Sequence, residues 1–291
     1  MKRRHLVSLA MAPVFLLGAC GGGGAGGSTG AAGNTNVLTG AAGTGDSTGA
    51  AGTGDSTGAA GAGASGTSGA AGTGASVDCS MDTGTSDDTI SDFEDGSGSV
   101  LPNGGRNGGW YAYADTATTC MVTPAANGSA GAAEIPGGRC QSMFAMRFTG
   151  MGCTDFGAGV GTDLAAPASA DGGAAGAKVP YDVSMYKGIS FWSRSDKGSS
   201  MRFKIPMTDE TKTTDGGSCV DSATAKCSDD FGANIALTKA WVKHTIMFST
   251  MKQEGWGKTF TWNPAHVTSI QFQVPKTVPF DIWIDDVSFV K

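Results

Sequence analysis

The closing segment of the chain carries two adjacent acidic residues, Asp285 and Asp286, inside an alternating pattern typical of a β-strand. Ile282 and Ile284 are predicted to point to one face of that strand. Trp283 and Asp285 then point to the other face, because side chains alternate along a strand. Acidic residues are uncommon in strands, and a buried carboxylate is costly unless it is paired or binds a metal ion. The segment therefore predicts two roles, closure of a sheet and retention of a cation.

A second set of residues has side chains that suit a sugar ring. In several predicted strands, apolar residues alternate with Trp, Arg, Lys or Gln. An indole stacks on the apolar C–H face of a sugar, while amide and guanidinium groups bond its hydroxyls. Because exposed Trp is uncommon, we predict a sugar-binding surface rather than a plain solvated face. Its predicted members, with two tyrosines of an aromatic-rich strand, are Tyr111, Tyr113, Trp192, Arg194, Arg202, Lys204, Gln271, Gln273 and Trp283.

Catalysis on a glycan is an alternative chemistry. A glycosidase needs two facing carboxyl groups, and the Glu residues are few: Glu94, Glu134, Glu210 and Glu254. A serine or cysteine hydrolase needs a histidine base. His244 is predicted to be a core or edge residue, and His266 a loop residue. We therefore assign no catalytic residue and predict a non-enzyme, with a glycoside hydrolase or lyase as an alternative.

The folded part of the chain is shorter than its 291 residues. Phe, Tyr and Trp are absent between Phe15 and Phe93, and the intervening sequence is rich in Gly, Ala, Ser and Thr. A segment without large apolar side chains does not offset the entropy lost on ordering. We predict a disordered linker over residues 20–87 and one folded domain over residues 88–291.

The N-terminus has the pattern of an export signal. A basic start at residues 2–4 precedes an apolar run that is too short to span a bilayer. The run ends in Leu-Gly-Ala-Cys, which resembles the lipobox of bacterial lipoproteins. That resemblance implies removal of residues 1–19 and a lipid on the sulfur of Cys20; the alternative is an ordinary signal peptide with a chance cysteine. We expect an exported protein, lipid-anchored in the bacterial cell envelope at the outer membrane or cell surface.

The seven cysteines divide into Cys20 and six others. An even number of cysteines in an exported domain predicts disulfides, three in this case. Cys219 and Cys227 lie close together in a polar loop and are the predicted pair. The remaining four have three possible pairings: Cys79, Cys120, Cys140 and Cys153.

The net charge limits the possible partners. The chain has 20 basic and 26 acidic residues, which gives −6 at pH 7. Because nucleic-acid binding needs a basic surface, no nucleic-acid partner is expected.

The folded part is predicted to be all-β. Short alternating segments are separated by turn residues, and none shows a sustained helical period, which favours a β-sandwich or jelly roll. The predicted strands lie within residues 89–96, 108–115, 142–148, 188–194, 201–206, 241–248, 267–274 and 279–290.

Three of these segments resemble jelly-roll carbohydrate-binding modules, most closely family 11 with its galactose-binding-like fold. They are Ile-Ser-Asp-Phe-Glu-Asp-Gly at 90–96, Tyr-Lys-Gly-Ile-Ser-Phe-Trp-Ser-Arg at 186–194 and Phe-Asp-Ile-Trp-Ile-Asp-Asp-Val-Ser-Phe at 280–289. The resemblance covers roughly residues 88–291. It implies a jelly-roll β-sandwich that binds polysaccharide, possibly β-glucan, without cleaving it, and we expect a monomer. A structural or adhesive envelope lipoprotein with a protein partner is the alternative.

The same resemblance implies a structural calcium ion between the first and last strands. Its ligands would be Glu94 and Asp286, with Asp95 and Asp285 as alternatives, since calcium prefers oxygen ligands. The other interpretation of these acids is that they cap turns and pair with Lys or Arg.

Overall fold

The computed structural model describes residues 77–82, 84–166 and 176–291. The predicted signal segment, Cys20 and most of the predicted linker lie outside the described residues. Within those residues, no helix is both long enough and apolar enough to cross a membrane.

The described residues form twelve β-strands joined by turns and short 3-10 segments. The strands are β1 (Thr89–Ser91), β2 (Trp110–Ala114), β3 (Met121–Thr123), β4 (Ala132–Arg139), β5 (Ser142–Met151), β6 (Ala158–Asp163), β7 (Gly188–Lys197), β8 (Ser200–Ile205), β9 (Phe231–Ala236), β10 (Val242–Met247), β11 (Ser269–Val274) and β12 (Phe280–Val290).

These strands form two antiparallel sheets. The first sheet has the order β10-β7-β12-β5-β3, with β1 added beside β12 and β4 beside β5. The second has the order β2-β6-β11-β8-β9. The chain passes repeatedly from one sheet to the other, so the predicted all-β jelly-roll sandwich is confirmed.

The core lies between the inner faces of the two sheets. Phe191 of the first sheet has its ring centroid 5.6 Å from that of Phe203 and 4.8 Å from that of Phe272, both in the second sheet. All three side chains are fully buried. Burial of each contributes roughly 1.5–3 kcal/mol to folding. The apolar positions predicted from the alternating pattern therefore hold the two layers together.

The closing strand lies at the centre of the first sheet, between β7 and β5. Thr89 of β1 pairs with Ser288, and Ser91 pairs with Val287. The opening and closing segments of the domain therefore pair in one sheet. The register shifts after Asp285, where Asp286 has a positive φ of 46°. This bulge changes the direction in which the second of the two acids points.

Four strands were missed by the alternating pattern: β3, β4, β6 and β9. The sequence of β6 is Ala-Gly-Val-Gly-Thr-Asp, and glycine is a poor strand former. It forms a strand here because β2 and β11 pair with it on both sides. Tertiary pairing therefore outweighs local propensity at these positions.

The structure resolves the cysteine pairing. Cys219–Cys227 is confirmed, and the other two disulfides are Cys79–Cys140 and Cys120–Cys153. The disulfide Cys79–Cys140 joins the end of the predicted linker to the residue that follows β4. Residues 77–82 lie against the sandwich, where Val77 packs on buried tryptophans and Asp82 pairs with Arg139.

Candidate functional site

The outer face of the second sheet brings together six of the nine predicted ligand-binding residues. In β2, β8 and β11, every second side chain fills the core, so the intervening side chains point away from it. We call this surface the polar face. It consists of Tyr111, Tyr113, Arg202, Lys204, Gln271 and Gln273.

The strand register arranges the polar face in two rows. One row contains Tyr111, Gly161, Gln271, Lys204 and Gly232. The other contains Tyr113, Gly159, Gln273, Arg202 and Asn234. Each row crosses all five strands, a width of about 19 Å at the usual strand spacing. The polar face is thus wide enough to contact an extended ligand at several points.

The two glycines of β6 make room for side chains from neighbouring strands. A Cβ atom on Gly159 would lie 2.4 Å from Tyr113 Oη, and one on Gly161 would lie 2.8 Å from Gln271 Cγ. Neither contact is sterically possible without movement. The tyrosines and glutamines therefore lie over the β6 backbone, and the alternating pattern did not identify these glycines.

Hydrogen bonds fix the side chains of the polar face. Gln271 Nε2 donates to Tyr111 Oη at 3.0 Å, and Lys204 Nζ donates to Gln273 Oε1 at 3.2 Å. Lys204 Nζ also lies 2.5 Å from a carboxylate oxygen of Asp230. A ligand would meet donors and acceptors that are already oriented, which reduces the entropy lost on binding.

The positive charges of this surface are matched locally. Lys204 is paired with Asp230, and Lys178 Nζ lies 2.6 Å from Asp163. Arg202 Nη2 donates to the carbonyl oxygens of Lys252 and Asp230 at 2.7 and 3.3 Å. The polar face therefore presents hydrogen-bonding groups without a strong excess of either charge.

The two tyrosines remain neutral at physiological pH. Burial raises the pKa of Tyr111 and of Tyr113 well above the usual range, and the charges of Asp163 and Asp230, respectively, add to this effect. Among the described residues, Tyr113 Oη has no hydrogen-bond partner, although solvent does not reach it. An unsatisfied buried hydroxyl costs about 1–3 kcal/mol.

Trp192, Arg194 and Trp283 do not belong to the polar face. They lie on β7 and β12, on the outer side of the first sheet. Both tryptophans are only 1% exposed, which corrects the prediction that they form a sugar-stacking surface. They are covered by side chains of β4, which pairs with β5 at the edge of the same sheet, and of Val77. The residues of this second cluster are Ile135, Ala145, Trp192, Trp241 and Trp283, with Val77 and Ala133 packed against it.

The arginines beside these tryptophans have a structural explanation. Arg194 lies over Trp283 and Arg147 lies on the same ring, at 5.4 and 4.9 Å from its centroid. Arg139 lies 4.7 Å from the centroid of Trp192. Cation–π contacts of this kind stabilise a layer of aromatic rings. The Trp and Arg pattern that predicted sugar binding on the first sheet is therefore part of its internal packing.

Two of the acids proposed as calcium ligands, Asp285 and Asp286, pair with one guanidinium group. Arg139 is 1% exposed, and its Nε donates to Asp285 Oδ2 at 3.0 Å. Its Nη2 pairs with Asp286, and its Nη1 lies 3.4 Å from Asp82. Burial raises the pKa of Asp285 to about 7, and the negative charge of Asp286 adds to that shift. Arg139 opposes it by supplying the compensating charge.

The two remaining predicted ligands are bonded elsewhere. Glu94 Oε1 accepts hydrogen bonds from Ser142 Oγ at 2.8 Å and from the backbone nitrogens of Met143 and Phe144 at 3.0 and 3.1 Å. Asp95 accepts from the backbone nitrogen and hydroxyl of Ser97. The proposed donor set does not fit a calcium ion, because protein donors and Arg139 already engage its four carboxylates.

Comparison with known proteins gives similar folds only among solved structures. No protein-family model matches the chain, and no curated protein matches it. A family 11 carbohydrate-binding module from Clostridium thermocellum, in complex with a beta-1,3-1,4-mixed-linked tetrasaccharide, is 17% identical with a TM-score of 0.42. The match covers 70% of this chain and 94% of that chain.

Two further solved structures are similar at lower scores. The family 30 carbohydrate-binding module of cellulosomal cellulase Cel9D-Cel44B of Clostridium thermocellum is 13% identical, with a TM-score of 0.35, and covers 62% of this chain and 91% of that one. TmCBM61 in complex with beta-1,4-galactotriose is 15% identical, with a TM-score of 0.28, and covers 62% and 88%. The present molecule is a jelly-roll β-sandwich with one polar sheet face.

Proposed function

We propose that the polar face binds a polysaccharide without cleaving it. The observation that carries this proposal is the pair of residue rows that crosses the whole second sheet. Aromatic rings and planar amides alternate there with glycines, which have no side chain and leave space above the strand backbone. This combination matches a polymer with flat apolar faces and many hydroxyl groups.

The charge balance of the polar face favours a neutral polysaccharide. Lys204 and Lys178 are each paired with an aspartate, and Arg202 bonds to backbone carbonyls. A uronic-acid polymer would meet no unpaired cation among these three groups. We therefore propose neutral polysaccharides as the ligand class, with a β-glucan as the first candidate.

Three buried acids beside the polar face are poorly placed for hydrolysis. Glycoside hydrolysis uses two carboxyl groups on either side of the scissile bond. Asp230 is buried against Lys204, and Asp163 is bonded to Lys178. Glu210 is fully buried, and burial together with the charge of Asp230 raises its pKa to about 9. These contacts support binding rather than catalysis.

The proposed location is the bacterial cell envelope, with a lipid on Cys20. Support comes from the lipobox-like sequence and the Gly-rich segment that follows it. As a flexible coil, that segment would have a root-mean-square reach of roughly 40–45 Å. Incorporation of labelled fatty acid into the wild type, and its loss in Cys20→Ala, would be the expected result in a bacterial host.

Calorimetric titration of the purified domain tests the ligand. We expect binding to one or more of mixed-linked β-glucan, galactan and xylan, and weaker binding to polygalacturonate. The double variant Gln271→Ala, Gln273→Ala should lose most of this affinity. Lys197→Ala, an exposed change on the first sheet, is the control and should bind normally. Absence of binding to all of these polymers by the wild type would contradict the proposal.

A further inference from the structure

Trp256 is a large aromatic side chain that the polar face does not include. It is 54% exposed, unlike the buried tryptophans of the core and of the second cluster. It lies in the segment Gln-Glu-Gly-Trp-Gly-Lys at 253–258, between β10 and β11. An indole held in water is uncommon and calls for an explanation.

The segment that carries Trp256 is held by one buried carboxylate. Asp229 is 3% exposed, and it accepts hydrogen bonds from the backbone nitrogens of Glu254, Gly255 and Gly257 at 2.9, 2.7 and 3.1 Å. Three backbone donors on one side chain fix the path of the chain on both sides of Trp256. The aromatic ring is therefore presented on an ordered turn.

The side chain of Gln253 also stabilises this turn, through hydrogen bonds to its backbone. Its Nε2 donates to the carbonyl oxygens of Asp229 and Lys258 at 2.7 and 2.9 Å, and its Oε1 accepts from the backbone nitrogen of Phe260 at 2.9 Å. Gly257 is required for close approach, because a Cβ atom there would lie 2.5 Å from Asp229 Cβ. Every polar atom of the Gln253 side chain thus serves to hold the turn closed.

The turn continues the polar face beyond its last strand. Lys252 pairs with Gly232 of β9 through two backbone hydrogen bonds of 3.0 and 3.1 Å. Gly232 ends one of the two rows, and Arg202 of the other row donates to the carbonyl oxygen of Lys252 at 2.7 Å. Trp256 therefore comes shortly after Lys252 in the sequence, and Lys252 is hydrogen-bonded to both rows.

We propose that Trp256 stacks on a sugar unit at the β9 side of the polar face, and that Asp229 is the positioning residue that holds its turn. This inference rests on the proposed polysaccharide binding and extends the site past the sheet. A ring that is ordered before binding contributes its contact area without the entropy cost of ordering a loop. Longer oligosaccharides should benefit most, because they reach from the rows to the turn.

Calorimetry with a glycan that the wild type binds provides the test. Trp256→Ala should weaken binding by about tenfold, equivalent to about 1.4 kcal/mol, and Trp256→Phe should retain most of the affinity. Met121→Ala is the matched control, since it removes another exposed apolar side chain from the first sheet. Equal affinities for the wild type and Trp256→Ala would overturn this inference while leaving the proposed function intact. No binding by the wild type would overturn both.

A double-mutant cycle tests the role of Asp229. Asp229→Asn should weaken binding in the presence of Trp256 and should have little further effect in the Trp256→Ala background. A loss of the same size in both backgrounds would overturn the positioning role. If Asp229→Asn does not fold, Gln253→Ala replaces it, with the same expected outcomes. Ligand protection of tryptophan fluorescence from acrylamide gives an independent readout and should disappear in Trp256→Phe.

Discussion

Arg139 Nε donates to Asp285 Oδ2 at 3.0 Å, and this contact joins the end of β4 to the centre of β12. The two residues are 146 positions apart in the sequence. Around this contact, one guanidinium group faces three carboxylates and lies on an indole ring. An ion-pair network therefore lies where the family resemblance implied a metal ion.

Replacement of Arg139 should be strongly destabilising. In Arg139→Met, Asp285 and Asp286 would keep their burial but lose the compensating charge, which typically costs about 3–5 kcal/mol. Denaturant unfolding would measure the loss. The control is Arg147→Met, whose side chain is 44% exposed and pairs with Asp281. Loss of this exposed ion pair should lower the free energy of unfolding by no more than about 1 kcal/mol. Similar losses of unfolding free energy in Arg139→Met and Arg147→Met would contradict the role of Arg139 as the compensating charge for the buried acids.

Removal of calcium should leave stability unchanged. Glu94, Asp285 and Asp286 already accept hydrogen bonds from protein donors, so no ligand is released when a chelator is added. Melting temperatures in calcium and in chelator should agree within error. A protein that bound calcium in its folded state would instead melt higher with the ion. A drop of several degrees in chelator would restore the calcium hypothesis.

Glu210 should make stability fall as pH rises. Burial and Asp230 raise its folded-state pKa to about 9, above the usual value near 4.5. Between these values the folded state binds more protons than the unfolded state, so its stability decreases with increasing pH. Glu210→Gln removes this titration. The stability of the variant should be closest to that of the wild type at low pH. The variant should be progressively more stable than the wild type up to pH 9. A constant difference across that range would contradict this prediction.

Gly159→Ala should damage the polar face. The new methyl group would lie 2.4 Å from Tyr113 Oη and 2.6 Å from the carbonyl oxygen of Phe272. Overpacking of this kind costs about 1–3 kcal/mol, and displacement of Tyr113 should also weaken glycan binding. Gly131→Ala is the matched control, because no atom lies within 4 Å of its added Cβ. Normal binding by a folded Gly159→Ala protein would argue against the tyrosine rows as the binding surface.

The sequence predicted which side chains share one side of a strand, but not what lies above them. Gln271 and Gln273 were correctly separated from the core residues between them. Trp192 and Trp283 show the same alternation, yet they are buried because β4 and residues 77–82 cover them. The β4 sequence, Ala-Ala-Glu-Ile-Pro-Gly-Gly-Arg, carries little alternating signal. The packing of β4 side chains on these tryptophans is therefore visible only in three dimensions.

The sequence likewise did not identify the charged partner of the acids in β12. Asp285 and Asp286 correctly predicted either a cation or paired basic groups. The choice between them depended on Arg139, which no spacing rule connects to β12. Likewise, the alternating pattern predicted no strand at β6, whose glycines leave room for the tyrosines of β2 and the glutamines of β11.

The disulfide between Cys79 and Cys140 determines how the domain would respond to a pulling force. Tension applied from the N-terminal side would reach Cys79 first and pass through the covalent bond to Cys140, bypassing residues 80–139. That bypassed segment contains β1, which would otherwise be the first strand to be peeled from β12. Mechanical resistance should therefore depend on redox conditions: an oxidised domain carries load into the β4–β5 hairpin, and a reduced one begins to unravel at Thr89.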